Sequence, residues 1–390
     1  MKILILASWY KSAENPNEGS FIEEQARMLI EAGHDVSVVH CYLNGTFSET
    51  LKGSKSSIYS YDDNGLRTIK ICVNIIFPKI RRLNYLRLFK KVLRFQSTRN
   101  DLFQPDIIHS HSTFMGGFVA YKLSKKLQIP YFHTEHTSGF LFNKKQYTRY
   151  DLNLCKTVFS NSVKSFFVSN YFLVKMKEVL NDPISKGEVL NNVVNPIFFT
   201  ESNENKFNDF TFIMVASFNP IKNHRVLIEA WKILSETKKC KLLLVGKGRL
   251  LSETQQLVKE YNLTESVQFC GELDRLNTCN IMSKSHVLIS SSIIETFGMT
   301  VAEANALGLP VIVNNSGGVL DIVTDETGIL IDCMNTETLV DAMDEIYRNY
   351  SSYNPKRISQ ITEEKFSEEV ICKQLEEYYS QFLNSKSLQT

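Results

Sequence analysis

Several patterns that place a chain in a class at once are missing from these 390 residues. No apolar run approaches the ~18 residues that span a bilayer. The opening MKILILASWY has a short apolar run but no small-residue cleavage site, so it reads as a first strand rather than a signal peptide. No segment is low-complexity and no internal repeat is visible. The eight cysteines (41, 72, 155, 240, 270, 279, 333 and 372) form no C-x-x-C pair. Most sit in apolar surroundings, as reduced buried thiols of a cytosolic protein do. No G-x-G-x-x-G follows the first strand, which weakens a nicotinamide-enzyme reading. No D-x-D is present to carry a divalent ion, and no residue stands out as a covalent nucleophile. From Asn64 to Asn100 there is no acidic residue at all.

The length suffices for two domains with separate cores. Hydrophobic content of 43% and charge of 22% are those of an ordinary globular protein. The net charge is +2 but unevenly divided. Residues 1–195 hold 26 Lys+Arg against 16 Asp+Glu, and residues 196–390 hold 18 against 26. Such asymmetry suits a first half that meets an anionic partner.

The chain alternates strand and helix. Lys2–Ala7 reads as a buried strand, a helix starts near Ser20, Gly33 stops it, and Val36–His40 is the second strand. Asp106–His109 and Pro130–Phe132 read as strands around a helix over Gly117–Gln128. Ser165–Ser169 and Glu188–Val194 follow. A stretch rich in Asn, Glu and Ser, Pro196–Asn208, suits a hinge. Strands are then expected at Phe210–Ala216, Lys241–Val245 and Val267–Cys270, with helices at Arg225–Ser235 and Ser252–Tyr261. Glycines after the strands point to parallel, doubly wound sheets. The tail from Ser367 to Leu383 is expected to be helical.

The densest stretch is Ser290–Asn315, SSSIIETFGMTVAEANALGLPVIVNN. Val287–Ile289 and Pro310–Val313 read as buried parallel strands. Thr300 and Glu303 have the spacing of a capping box, so a short helix is expected from about Val301 to Gly308. Its N-terminus, at Gly298-Met299-Thr300, has the free amides and dipole that suit a phosphate. Glu295 and Glu303 could accept hydrogen bonds from sugar hydroxyls, or simply be a loop residue and a cap. Ser316-Gly317-Gly318 would let a backbone approach a ligand closely.

The setting E-T-F-G-M-T-V-A-E-A-N-A-L-G-L-P-V-I resembles the signature of family 4 retaining glycosyltransferases. The resemblance runs from about Lys2 to Tyr379 and is weakest over 44–100. It implies an α/β chain of two facing Rossmann-like, doubly wound domains, the glycosyltransferase B fold, with a cleft between them. The expected domains are residues 1–195, with the helix of about 367–390 packing back on them, and residues 196–366. The first would take the acceptor and the second the nucleotide sugar. Glu303 would hold the donor ribose and Glu295 the donor sugar. The backbone at Phe297, Gly298, Met299 and Thr300 would face the diphosphate.

Other segments carry the same resemblance. Pro16-x-x-Gly19-x-Phe21-x-x-Glu24-Gln25 matches the family's opening, in which the loop of Gly19 approaches donor and acceptor. Four histidines lie in P-D-I-I-H-S-H and I-P-Y-F-H-T-E-H. On a strand, H-x-H sends both rings to one side without fixing a third ligand, so metal binding is not expected. By resemblance His136 faces the donor phosphate, while His109, His111 and His133 are structural or on the acceptor side. V-L-N-N-V-V-N matches the strand before the linker, with Val193 for a common glycine and Asn195 for a common aspartate. N-P-I-K-N-H places Lys222 as a cation for the diphosphate. Gly246 opens the next loop. One departure is plain: Ser217 stands where the family often has an arginine, so either Lys247 or Arg249 in the next loop compensates or the donor is bound less tightly.

The expected activity is retaining, metal-independent transfer of a hexosyl-type sugar from a nucleotide diphosphate sugar to a glycan or lipid-linked acceptor, with no cofactor. His136, Lys222 and Glu295 would be its catalytic residues, and bacterial surface polysaccharide or glycolipid synthesis its setting. No nucleic-acid partner is expected. The alternatives are an epimerase of the same fold, which needs no acceptor, and a non-catalytic nucleotide-sugar-binding subunit, which Ser217 motivates. Finally, Arg67, Lys70, Lys79, Arg81, Arg82, Arg87, Lys90, Lys91, Arg94 and Arg99 crowd one segment. At 100° per residue, Tyr85, Leu86, Leu88, Phe89, Val92, Leu93 and Phe95 share one helix half, and Arg87, Lys90, Lys91 and Arg94 the other. Residues 79–95 are therefore expected either as a membrane-surface element on an anionic inner leaflet or as an ordinary domain helix.

Overall fold

The computed structural model describes residues 1–12, 15–45, 56–77, 80–98, 104–200 and 206–387. Lys79 and Arg99 of the basic segment lie outside them. The chain divides into two compact units. The first is Met1–Asn191 together with the segment from Ile371 onward, and the second is Asn192–Val370.

The first unit holds an eight-stranded sheet. Its strands are β1 (Lys2–Ala7), β2 (Asp35–Asn44), β3 (Ile58–Asp63), β4 (Leu66–Asn74), β5 (Ile107–His111), β6 (Tyr131–Glu135), β7 (Ser165–Phe167) and β8 (Gly187–Val189). They lie in the order β3-β4-β2-β1-β5-β6-β7-β8. Every pair is parallel except β3–β4. Strands covered on both faces need near-continuous apolar runs, and β1 and β5 are buried almost throughout. The strand expected at Glu188–Val194 stops at Val189. Beyond it the ladder gives way to single bonds, Leu190 N–H to the Phe167 carbonyl and Val194 N–H to the Phe366 carbonyl.

The antiparallel edge comes from a hairpin that the sequence reading did not place. Asn64 and Gly65 both take positive φ, 50° and 85°, which a two-residue hairpin turn requires. The helix after it, Arg81–Thr98, settles how its amphipathic pattern is used. Tyr85, Leu88 and Val92 are buried within the unit, so this apolar half is not available to a lipid surface. On the other half, Arg87 donates to the Asn74 carbonyl and Lys91 to those of Ser57 and Cys72. Arg81 pairs with the buried Asp151 at 2.9 Å. Arg82, Lys90 and Arg94 remain exposed, as do Ile76, Phe77 and Ile80 in the segment before the helix. Among the described residues, no helix is long and apolar enough to cross a membrane.

The second unit holds a six-stranded parallel sheet, β11-β10-β9-β12-β13-β14. The strands are β9 (Phe210–Val215), β10 (Cys240–Val245), β11 (Val267–Gly271), β12 (Val287–Ser290), β13 (Val311–Asn314) and β14 (Gly328–Ile331). Phe212, Leu242, Leu244 and Ile289 from the sheet pack with Leu227, Trp231 and Leu234 of helix His224–Ser235 and with Met343 and Ile346 of helix Thr336–Asn349. The buried Trp231 indole keeps its polar edge satisfied by donating to Ser266 Oγ at 3.0 Å.

Strand order reverses between β1 and β5 in the first unit and between β9 and β12 in the second. At such a switch point the loops leaving the carboxyl ends turn to opposite sides and open a crevice where ligands bind. The cysteines are all free, six of them buried, with Cys270 half-buried and Cys333 exposed.

Candidate functional site

In the second unit, the switch point sets the loop after β9 beside the loop after β12. The two are stitched by Ile293 N–H to the Ile221 carbonyl (2.8 Å) and Ser291 Oγ to the Lys222 carbonyl (2.8 Å). The Asn219 side chain caps the short 3-10 turn Pro220–Lys222 by accepting from the Ile221 and Lys222 amides. Lys222 is thereby aimed at the neighbouring loop, where its Nζ lies 2.5 Å from Glu295 Oε1. The two side chains are 23% and 20% exposed, so the pair is accessible to a ligand yet partly shielded from water.

The loop of Glu295 is held from behind. Glu295 bridges to Gly317, and Gly318 N–H donates to the Glu295 carbonyl at 2.8 Å. A Cβ on Gly317, at φ 87°, would lie 2.3 Å from that carbonyl oxygen. One on Gly318 would lie 2.2 Å from the Thr296 carbonyl oxygen. These glycines were expected to admit a ligand; instead they admit the backbone of residues 295–297. Phe297 is buried and packs edge-on against Phe366, so its side chain belongs to the core and its backbone alone is left for a ligand.

The helix after Glu295 is Met299–Ala306, and its N-cap is Gly298 in the left-handed region (φ 108°). No side chain caps it. The expected Thr300–Glu303 capping box is therefore absent: Thr300 is already inside the first turn. The amides at Met299 and Thr300 stay open to an anion. Glu303 turns inward instead, 1% exposed, and accepts from Arg275 Nη1 at 2.6 Å. Burial raises its pKa and Arg275 opposes that rise. The Arg275 guanidinium also lies over the Phe198 ring, 4.8 Å from its centre. Sequence reading missed Arg275, because nothing local marks an arginine whose partner is 28 residues away.

Ser217 lies in the loop after β9 and accepts from Asn219 Nδ2 at 2.8 Å. The Gly246-Lys247-Gly248 loop packs directly on it. Gly246 (φ 141°) has no room for a Cβ, which would fall 2.1 Å from the Ala216 carbonyl oxygen. Of the two cations expected to replace the missing arginine, Lys247 is paired with Glu272 at 2.8 Å. Arg249 is exposed and forms no ion pair among the described residues.

The remaining candidates lie in the first unit. Gly19 (φ 69°) caps helix Ser20–Glu31, and a Cβ there would press on the Trp9 carbonyl oxygen at 2.9 Å. Phe21 packs against the His136 ring, centroids 4.4 Å apart and planes tilted by 32°, which joins the helix that Gly19 opens to the loop after β6. His136 is buried, and its Nε2 lies 3.0 Å from His111 Nδ1. Glu135, fully buried, accepts from Thr113 N–H and Oγ1, His136 N–H, and Thr137 N–H and Oγ1. Burial alone would raise its pKa, but His133 and these hydroxyls hold it at about 2. It therefore serves as a charged clamp on the loops after β5 and β6. Among the described residues no group of three or more His, Cys, Asp and Glu is arranged to hold a metal ion.

Relatives give the chain a family. An uncharacterized glycosyltransferase of Methanocaldococcus jannaschii is 29% identical, over 74% of this chain and 78% of its own length. The alpha-monoglucosyldiacylglycerol synthase of Streptococcus pneumoniae is 24% identical, over 64% of this chain and 59% of its own. Among solved structures, Anabaena HepE in complex with UDP superposes with a TM-score of 0.76 at 16% identity, covering 98% of this chain and 100% of that one. That likeness shows a glycosyltransferase B fold. Residues 198–365 match the family model described as glycosyl transferases group 1, residues 19–197 match that of glycosyltransferase family 4, and the chain belongs to these glycosyltransferases.

Proposed function

We propose that the protein moves a sugar from a nucleoside diphosphate sugar to a hydroxyl of a glycan or lipid-linked acceptor, with retention at the anomeric carbon and without a metal ion or cofactor. The observation that carries this is the Lys222–Glu295 pair beside the uncapped helix Met299–Ala306. It sets a cation, a carboxylate and open amides within one switch point. A diphosphate fits the cation and the amides, and sugar hydroxyls fit the carboxylate. Glu303, kept in place by Arg275, accepts from the ribose. HepE binds UDP, so a UDP-sugar is the first donor to try.

In the transfer, the bond from the anomeric carbon to the diphosphate oxygen breaks and a bond to the acceptor oxygen forms on the same face. The acceptor proton passes to the departing phosphate. Charge on that phosphate grows in the transition state, and Lys222 with the Met299–Thr300 amides neutralises it. Glu295 and His136 orient the sugar. The basic, partly apolar surface of Arg82, Lys90, Arg94, Ile76, Phe77 and Ile80 suits an anionic membrane, which would bring lipid-linked acceptors to the enzyme. Alpha-monoglucosyldiacylglycerol synthase, by its name, makes a glycolipid.

The test is a panel of nucleotide sugars, read first by thermal stabilisation and then by product analysis with and without acceptors in EDTA. Acceptor-dependent product with unchanged anomeric configuration is expected. Epimerised donor without acceptor, or binding without turnover on any acceptor, would replace the reading by an epimerase or a binding subunit.

A further inference from the structure

Among the described residues, the ring of His136 makes one side-chain hydrogen bond, the 3.0 Å contact of its Nε2 with His111 Nδ1. The two rings stack at 5.2 Å, and His111 stacks in turn on His109 at 4.8 Å. His109 is itself fixed, by Thr134 Oγ1 at Nε2 (2.7 Å) and the Tyr379 hydroxyl at Nδ1 (2.5 Å). His111 is fully buried, and its Nε2 has no partner among the described residues. Burial keeps both rings neutral: it brings His136 down to about 3 and His111 well below its usual value.

Two neutral rings facing each other share one hydrogen. If His136 donated from Nε2, the proton of His111 would sit on its own Nε2, a buried N–H with no acceptor. If His111 donates from Nδ1, its Nε2 is a bare lone pair. A buried donor left without a partner is rarer and costlier than a buried acceptor. The second arrangement prevails, and it leaves the proton of His136 on Nδ1. An imidazole free in water prefers the other tautomer, so the neighbour imposes this one.

We propose that His111 is a positioning residue that fixes His136 as the Nδ1–H tautomer, so that His136 offers a neutral hydrogen-bond donor to an oxygen of the bound nucleotide sugar. This rests on the reading of His136 as a residue that touches the donor. A neutral ring locked in this form stabilises a developing oxyanion without competing for the acceptor's proton, which is left to the departing phosphate.

The experiment is ring-nitrogen correlation NMR on protein labelled with 15N-histidine, with His136 assigned by comparison with His136→Gln. The wild type should show the proton on Nδ1. His111→Asn keeps an N–H at the place of the lost Nδ1–H and should preserve the tautomer and most of kcat/KM. His111→Asp offers only an acceptor; it should move the proton of His136 to Nε2 and lower kcat/KM about tenfold or more, the loss of one hydrogen bond to a charged group. A merely structural His111 would make the two variants fail alike, without a change of tautomer. A proton on Nε2 in the wild type overturns the proposal, and so does a tautomer unmoved in His111→Asp. Should neither variant fold, the wild-type spectrum decides. If Nδ1 is protonated but no donor is turned over, the transfer reading fails while the tautomer assignment stands.

Discussion

Lys222 Nζ and Glu295 Oε1 meet at 2.5 Å, so without a donor each of these residues carries the other's counter-charge. On the proposed function, a nucleotide sugar separates them, drawing Lys222 to the phosphate and Glu295 to the hydroxyls. Free nucleoside diphosphate offers Lys222 a partner but leaves Glu295 with none. Glu295→Gln should therefore bind UDP more tightly by up to about fivefold, the worth of a partly exposed ion pair, while losing most of its turnover. Calorimetry with UDP checks the first half. Weaker UDP binding in a folded variant would mean that Lys222 does not reach the phosphate.

Removing the cation gives a different signature. Lys222→Ala should lower kcat as well as donor affinity, because the charge it meets grows as the glycosidic bond breaks. Wild-type activity should be insensitive to EDTA. Activity lost in EDTA and restored by magnesium or manganese would sink the metal-free mechanism.

Gly318→Ala tests whether the loop behind Glu295 sets its position. The added Cβ would lie 2.2 Å from the Thr296 carbonyl oxygen and 2.5 Å from Phe297 Cα, both backbone atoms, so residues 295–297 must move. A displacement near 1 Å costs about a hundredfold in rate. Turnover should fall by that order with UDP affinity changed far less. An unaltered kcat would show that Glu295 tolerates displacement.

Glu303→Gln should do two things at once. It removes the charged acceptor proposed for the ribose, for a donor KM about tenfold higher, and it leaves Arg275 beside a neutral partner. The second effect costs about 1–3 kcal/mol of stability and is read as a lower Tm. A KM unchanged beside a lower Tm would make Glu303 a purely structural partner of Arg275.

Acid should loosen the first unit. Burial lowers His40 to about 4 and His109 and His136 to about 3, with His111 well below normal. A group whose folded pKa is depressed gives up stability as pH falls from its unfolded value, near 6.5, toward the folded one. Each such histidine costs about 1.4 kcal/mol per pH unit in that window. Glu135, held at about 2, adds its loss below about 4.5. Glu303 works in the opposite sense, since its pKa is raised, but it belongs to the second unit. Tm should therefore drop steadily between pH 6.5 and 5. A flat profile there would mean that the histidine cluster opens to solvent.

Strand and helix were legible wherever pattern and packing coincide. Lys2–Ala7 is a strand because both sheet faces are covered and its apolar run is unbroken. The start of helix Ser20–Glu31 was readable because Gly19 marks it. What escaped depends on partners far along the chain. The 81–98 helix has the same amphipathic pattern whether its apolar half meets lipid or a sheet, and only the position of β4 decides. The capping spacing of Thr300 and Glu303 is true of the letters, but Gly298 takes the cap first and Arg275 claims the carboxylate. The hairpin at Asn64-Gly65 was within reach, since that dipeptide is a strong turn signal.

The first unit is completed by residues after the second: Tyr379, which holds His109 in place, lies beyond all of Asn192–Val370. On a ribosome the two units must therefore mature in an order opposite to their first appearance. The second can close as soon as its own 179 residues have emerged, whereas the histidine cluster waits for Tyr379, 270 residues after His109. The histidine cluster around His136 is thus the last part of the molecule to be completed, and a nascent chain stalled before Ile371 would carry a closed second unit and an unfinished first one.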